Sequence, residues 1–91
     1  LLLFRRGSRI ARLYSIAVDP TQRGAGLGAA LLDDAVHGAL QADCDTLRLE
    51  VREDNLGAIA LYRRAGFREF GKLPGYYEDG GLALRFERGL V

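Results

Sequence analysis

Apolar and polar positions along the chain fall into seven stretches, five with the period of a strand and two with that of a helix. The clearest is Thr46 to Arg52, "TLRLEVR", which alternates strictly. Leu47, Leu49 and Val51 take one side and Arg48, Glu50 and Arg52 the other, as in a strand with one buried face. Leu1 to Arg5 and Ile10 to Val18 predict a hairpin around turn residues Gly7 and Ser8, with the second strand the more buried. Asp19 and Pro20 end it, because proline offers no N–H to a ladder and disfavours helix in the residue before it. From Leu27 to about Ala42, apolar residues recur at Leu27, Leu31, Leu32, Ala35, Val36, Ala39 and Leu40, the stripe of a helix lying on a sheet. A second helix carries Ala58, Ile59, Leu61, Tyr62 and Ala65, with Asp54 or Asn55 as its cap and Gly66 as its left-handed stop. Phe67 to Phe70 begins a further strand, "LPGYYEDGG" is a loop, and Leu82 to Arg88 alternates with Leu82, Leu84 and Phe86 on one face. The predicted order is β-β-α-β-α-β-β in one domain over residues 1–91, without repeats or a linker.

Composition narrows the function. At 48% hydrophobic and 27% charged residues the chain is that of a folded, water-soluble domain. Its apolar runs are a few residues long, far short of a membrane span or the core of a signal peptide. A net charge of +1 with scattered arginines lacks the dense basic stripe of a nucleic-acid binder. Cys44 is the only cysteine, so no internal disulfide forms and a reducing cytoplasmic setting is expected. His37 stands alone on a helix and no metal-site spacing occurs, so no metal is expected. There is no methionine, and Leu1 opens inside a strand-like run, which predicts that the natural start lies upstream.

The run "RGAGLG" at 23–28 holds the strongest chemical signal. A turn needs one glycine. Alternating glycines instead leave successive N–H groups unscreened at a helix N-terminus, where an anion is stabilised. Gly24, Gly26 and Ala29 satisfy the letters of a dinucleotide fingerprint, and Glu50 lies roughly 20 residues further on. That fingerprint, however, needs its first glycine at the end of the strand, and here residues 19–23 intervene; Glu50 also sits within its strand. A Walker loop is excluded because no Gly-Lys-Ser/Thr follows. The remaining possibility is a pyrophosphate cradle of another kind, with Arg23 adding charge and the N–H groups of Gly24, Ala25, Gly26, Leu27, Gly28 and Ala29 forming the bed.

The spacing Arg23-x-x-Gly26-x-Gly28 resembles the acyl-CoA signature of the GCN5-related N-acetyltransferases, the GNAT superfamily. "LYSIAVDP" ahead of it and "LEVREDN" and "AIALYRRAGF" behind it resemble further blocks of that superfamily in order and spacing, most closely those of bacterial ribosomal-protein-alanine N-acetyltransferases. The resemblance covers residues 13–70 and omits the superfamily's N-terminal half. It implies the GNAT acyltransferase fold, an α/β (α+β) architecture with a mixed, mostly antiparallel sheet and helices packed on it, truncated at its N-terminus. It implies acetyl-CoA as co-substrate and an amine as acceptor. It places the pantetheine edge at Ile16, Ala17 and Val18, a general base at Glu50, a general acid at Tyr62 and a contact to the CoA arm at Asn55. Tyr76 and Tyr77 then border the acceptor channel.

Each of these residues also has an ordinary structural use. Ile16 and Val18 can pack in the core, Glu50 can pair with Arg48 or Arg52, Tyr62 can be core, Asn55 can simply cap its helix, and the two tyrosines can cover an edge. At pH 7 an α-amine of pKa near 7.8 is roughly 14% neutral and a lysine amine only about 0.04%, so a Glu50 of ordinary acidity suits a protein N-terminus better than lysine. Small amines stay open as acceptors, and so does a non-catalytic acyl-CoA-binding or regulatory domain. An edge opened by "LLLF" would invite pairing into a homodimer, which light scattering would test.

Overall fold

A computed structural model describes the backbone of residues 2–5, 9–15 and 27–90, and the side chains of residues 9–13 and 28–90. The order is the one expected: β1 (Leu2–Arg5), β2 (Ile10–Ser15), α1 (Leu27–Gln41), β3 (Thr46–Arg52), α2 (Leu56–Arg64), β4 (Arg68–Leu73) and β5 (Ala83–Gly89). The strands make one five-stranded sheet in the order β1-β2-β3-β5-β4, parallel only between β2 and β3. The turn at Gly7 and Ser8 and the stop at Asp19 and Pro20 lie outside the described residues.

Both helices cover the same face. Leu32, Ala35, Val36 and Ala39 of α1 are buried with Ala11 and Leu13 of β2, Leu47, Leu49 and Val51 of β3 and Phe86 of β5. Asp33, Asp34 and His37 take the wet side of α1. Two similar stops end the helices. After α1, Asp43 is left-handed (φ 62°), and the Cys44 and Asp43 N–H groups return to Ala39 O at 2.9 Å and Leu40 O at 3.0 Å. After α2, Gly66 (φ 91°) takes that place, with the Phe67 N–H on Tyr62 O at 3.0 Å and the Gly66 N–H on Arg63 O at 3.1 Å. This double bond usually brings an apolar contact between the residue after the stop and the third from the helix end. Here that contact is Phe67 on Tyr62, rings 6.0 Å apart, so the cap itself fixes Tyr62.

Two strands depart from the sequence expectation. β4 begins at Arg68 and runs to Leu73, three residues past Phe70, because its ladder with β5, and not burial, makes it a strand. β5 starts at Ala83, one residue after Leu82; Leu84 and Phe86 do share the helix-facing side, opposite Val51 and Leu49. Cys44 is buried and free. Among the described residues no helix is long and apolar enough to cross a membrane, and no group of three or more His, Cys, Asp and Glu side chains could hold a metal ion.

Candidate functional site

The parallel ladder runs from Ile10–Thr46 to Leu13–Leu49, yet β3 continues through Glu50, Val51 and Arg52 with its other edge still on β5. β2 is irregular at the same level. Its register with β1 passes from Leu13–Leu3 to Ser15–Leu2, so Tyr14 is an extra residue, and such a bulge bends its strand. From there, among the described residues, β3 has no partner on its β2 side. A gap between two parallel strands exposes unpaired N–H and C=O groups, which a ligand can satisfy.

Tyr62 and Glu50 flank this level of the sheet from opposite faces. Tyr62 projects from α2 onto the helix-covered side, its ring 6.3 Å from that of Phe86, which pairs with Leu49. Burial, with a smaller contribution from the charge of Tyr77, pushes its hydroxyl above the ordinary phenol value, so it is a proton donor throughout the neutral range. A tyrosine whose folded value lies above its unfolded one, about 10, contributes stability that is present below that pH and lost as pH rises through the folded value. Thermal unfolding should therefore show a fall in Tm above about pH 10 that Tyr62→Phe reduces. An alkaline slope identical in the variant would assign the loss to other groups.

Glu50 lies on the side of the sheet opposite the helices, its side chain 5% exposed. Oε1 accepts from both Nε (2.9 Å) and Nη2 of Arg12, and Oε2 accepts from Arg85 Nε at 3.4 Å. Neither Arg48 nor Arg52 is its partner, contrary to the sequence alternative. Residues two apart along a strand stand about 6.6 Å apart, farther than directly opposed residues on neighbouring strands, and Arg85 is directly opposite Glu50. Arg48 instead pairs with Glu87 at 3.1 Å. Its guanidinium and that of Arg85 each lie 4.8 Å over the Phe70 ring. Tyr76, which the resemblance set beside the acceptor channel, has its hydroxyl 3.5 Å from Arg12 Nη2 and so borders Glu50.

The glycine-rich loop is only partly in view. Ile16, Ala17, Val18, Arg23, Gly24, Ala25 and Gly26 lie outside the described residues. Leu27, Gly28 and Ala29 form the first turn of α1, whose leading N–H groups have no partner within a helix. A methyl at Gly28 would meet the flexible end of Leu61, Cδ2, at 2.9 Å, so α1 and α2 pass close to each other at this glycine. Asn55 caps α2, its Oδ1 accepting the Ala58 N–H at 3.2 Å.

Comparison with known proteins matches residues 1–67 to the Acetyltransferase (GNAT) family. The chain is 45% identical over 67 residues to the [ribosomal protein bS18]-alanine N-acetyltransferase of Escherichia coli K12, covering 74% of this chain and 45% of that enzyme. The chain thus spans under half the length of that curated relative. Among solved structures, Ard1 from Thermoplasma volcanium superposes with a TM-score of 0.88 at 37% identity, over 94% of this chain and 59% of that one. The NatC complex bound to Gag peptide and CoA gives 0.87 at 27% identity, over 99% of this chain and 58% of that one.

Proposed function

This chain belongs to the Acetyltransferase (GNAT) family, and from that membership we propose that it transfers the acetyl group of acetyl-CoA to a primary amine, the N-terminal amine of a protein. The observation that carries this reading is the end of the β2–β3 ladder at Leu13–Leu49, with Tyr62 on one face of that level and Glu50 on the other. A thioester lying in that gap meets a proton donor from the helix side and a carboxylate from the opposite side. The amine nitrogen attacks the thioester carbonyl carbon, the C–S bond breaks, and the departing thiolate takes the Tyr62 proton. Glu50 accepts the proton that the nitrogen sheds, directly or through a water.

Ile16, Ala17 and Val18 supply the strand edge along which the acyl arm lies, and Arg23 with the N–H groups of Gly24 to Ala29 holds the pyrophosphate. Support comes from the α1 first turn, where the described part of that cradle leaves N–H groups for an anion. Asn55 reaches the arm while it caps α2. A protein amine is favoured by the similarity to the bS18-alanine N-acetyltransferase and to the NatC complex bound to Gag peptide and CoA.

Calorimetric titration with acetyl-CoA, beside the Gly26→Glu variant, tests the reading. Micromolar binding by the parent and none by a folded variant is the expected result, followed by acetylation of peptide N-termini. A folded parent that does not bind removes the acyl-CoA site. Binding without transfer to any peptide or small amine leaves the non-catalytic acyl-CoA-binding domain instead.

A further inference from the structure

The loop joining β4 to β5, residues 74–82, is tied to the end of β3 by one side chain. Arg52 Nη2 donates to Asp79 Oδ2, Arg52 Nε lies 3.4 Å from Asp54 Oδ1, and the guanidinium carbon sits 4.7 Å over the Tyr77 ring. Asp79 turns its other oxygen to the Gly81 N–H at 2.9 Å. A methyl at Gly81 would lie 2.7 Å from Arg52 Nη2 and 2.9 Å from its Cζ, so the guanidinium packs directly against the loop backbone there. The loop then closes on itself through the Gly80 N–H to Tyr77 O (2.9 Å) and the Tyr77 N–H to Gly81 O (3.3 Å).

These contacts lie outside the core. The Arg52 and Asp79 side chains are 34% and 62% exposed, where an ion pair contributes little to global stability. What they do fix is a pair of rings. Tyr77 lies under Arg52, Tyr76 meets Tyr77 edge-on at 5.0 Å, and the Tyr76 hydroxyl is 3.5 Å from the same Arg12 nitrogen that holds Glu50. Gly75 and Gly80 adopt left-handed backbone within the loop, and the Glu53 N–H to Leu82 O bond (3.1 Å) pins its far end, so the clasp acts on the tip that carries the rings.

We propose that Arg52 is a positioning residue for the amine acceptor: by clasping Asp79 and covering Tyr77 it sets the 74–82 loop so that Tyr76 and Tyr77 wall the approach to Glu50. The proposal rests on acetyl transfer with the acceptor arriving on the Glu50 side. Misplacing a wall that orients one reactant weakens that reactant's binding and leaves the other's intact.

Arg52→Gln and Asp79→Asn should each raise the acceptor KM about fivefold to tenfold, the loss of an interaction at the upper end for an exposed ion pair or just above it. The acetyl-CoA KM should stay within about twofold and the Tm within a few degrees. Arg52→Lys, which keeps the charge opposite Asp79 but loses the planar group over Tyr77, should recover part of the acceptor KM. Amide exchange at Tyr77, Gly80 and Gly81 should quicken in the same order as the KM rises. An unchanged acceptor KM in folded variants overturns the proposal, as does a parallel rise in the acetyl-CoA KM, which would mark a general structural role. If the unaltered protein binds acetyl-CoA but acetylates no amine, the functional premise falls and takes this proposal with it, and that outcome is visible before any variant is made.

Discussion

Phe86→Ala is expected to cost about 3–5 kcal/mol of folding stability, close to the whole margin of the molecule. A chain of this length is stabilised by roughly 5–14 kcal/mol, so at the lower end of that range the substitution leaves only about 0–2 kcal/mol, with as little as about half the molecules folded. Phe86 is fully buried and meets two elements, β3 and α2: it pairs with Leu49 across β5 and β3, its ring stands 6.3 Å from that of Tyr62, and the Arg63 guanidinium lies 5.3 Å over it. Alanine would empty the space between α2 and the sheet with no neighbour free to fill it. Urea and thermal unfolding would read a fall in Tm of roughly 12–40 °C. Leu56→Ala serves as the control, because Leu56 is 73% exposed and its loss should stay within about 0.5 kcal/mol. A Phe86→Ala loss below about 1 kcal/mol would mean that the core beneath α2 is loosely packed. The same variant should weaken transfer, since Tyr62 would lose one of the two rings between which it stands.

The elements that local chemistry dictates were legible in the sequence. Strict alternation marked β3 over the residues the structure gives it, the Asn55 side chain and the left-handed Gly66 set the ends of α2, and the apolar stripe marked α1. Four features were not legible, each for a non-local reason. The partners of Glu50, Arg12 and Arg85, are 38 and 35 residues away, and only the register of three strands brings them together. The extra residue at Tyr14 shows only in the pairing of β2 with β1, yet it sits just where the described ladder of β2 with β3 ends. The pantetheine edge that the resemblance put at Ile16 to Val18 lies outside the described residues. Gly28 read as part of an anion cradle, and its close approach to Leu61 became visible only with α2 in place. The tyrosines of the 74–82 loop carried no periodic pattern, and it is Arg52 and Arg12, on two different strands, that draw them to Glu50.

Glu50→Gln separates two uses of one carboxylate. If Glu50 takes the acceptor's proton, the amide should lower kcat by about 10²- to 10⁴-fold and leave acetyl-CoA affinity unchanged. A carboxylate offers about four lone-pair positions; Arg12 uses two on Oε1 and Arg85 one on Oε2, so one position on Oε2 has no partner among the described residues. That vacancy is what a base requires. Glutamine keeps an acceptor for one arginine but turns an NH2 towards the other, so a drop in Tm should accompany the loss of rate. The two effects part company in Arg85→Gln, which removes the weaker contact and spares the carboxylate. If Glu50 is the base, Arg85→Gln lowers the Tm as Glu50→Gln does but retains most of kcat. If Glu50 only staples β2 to β5 across the face opposite the helices, the two variants lose rate in proportion to the stability they lose. A kcat in folded Glu50→Gln within about threefold of the parent would assign the proton to a water or another group. Oε2 would then serve the sheet, and the chemistry would rest on Tyr62 and the gap beside β3.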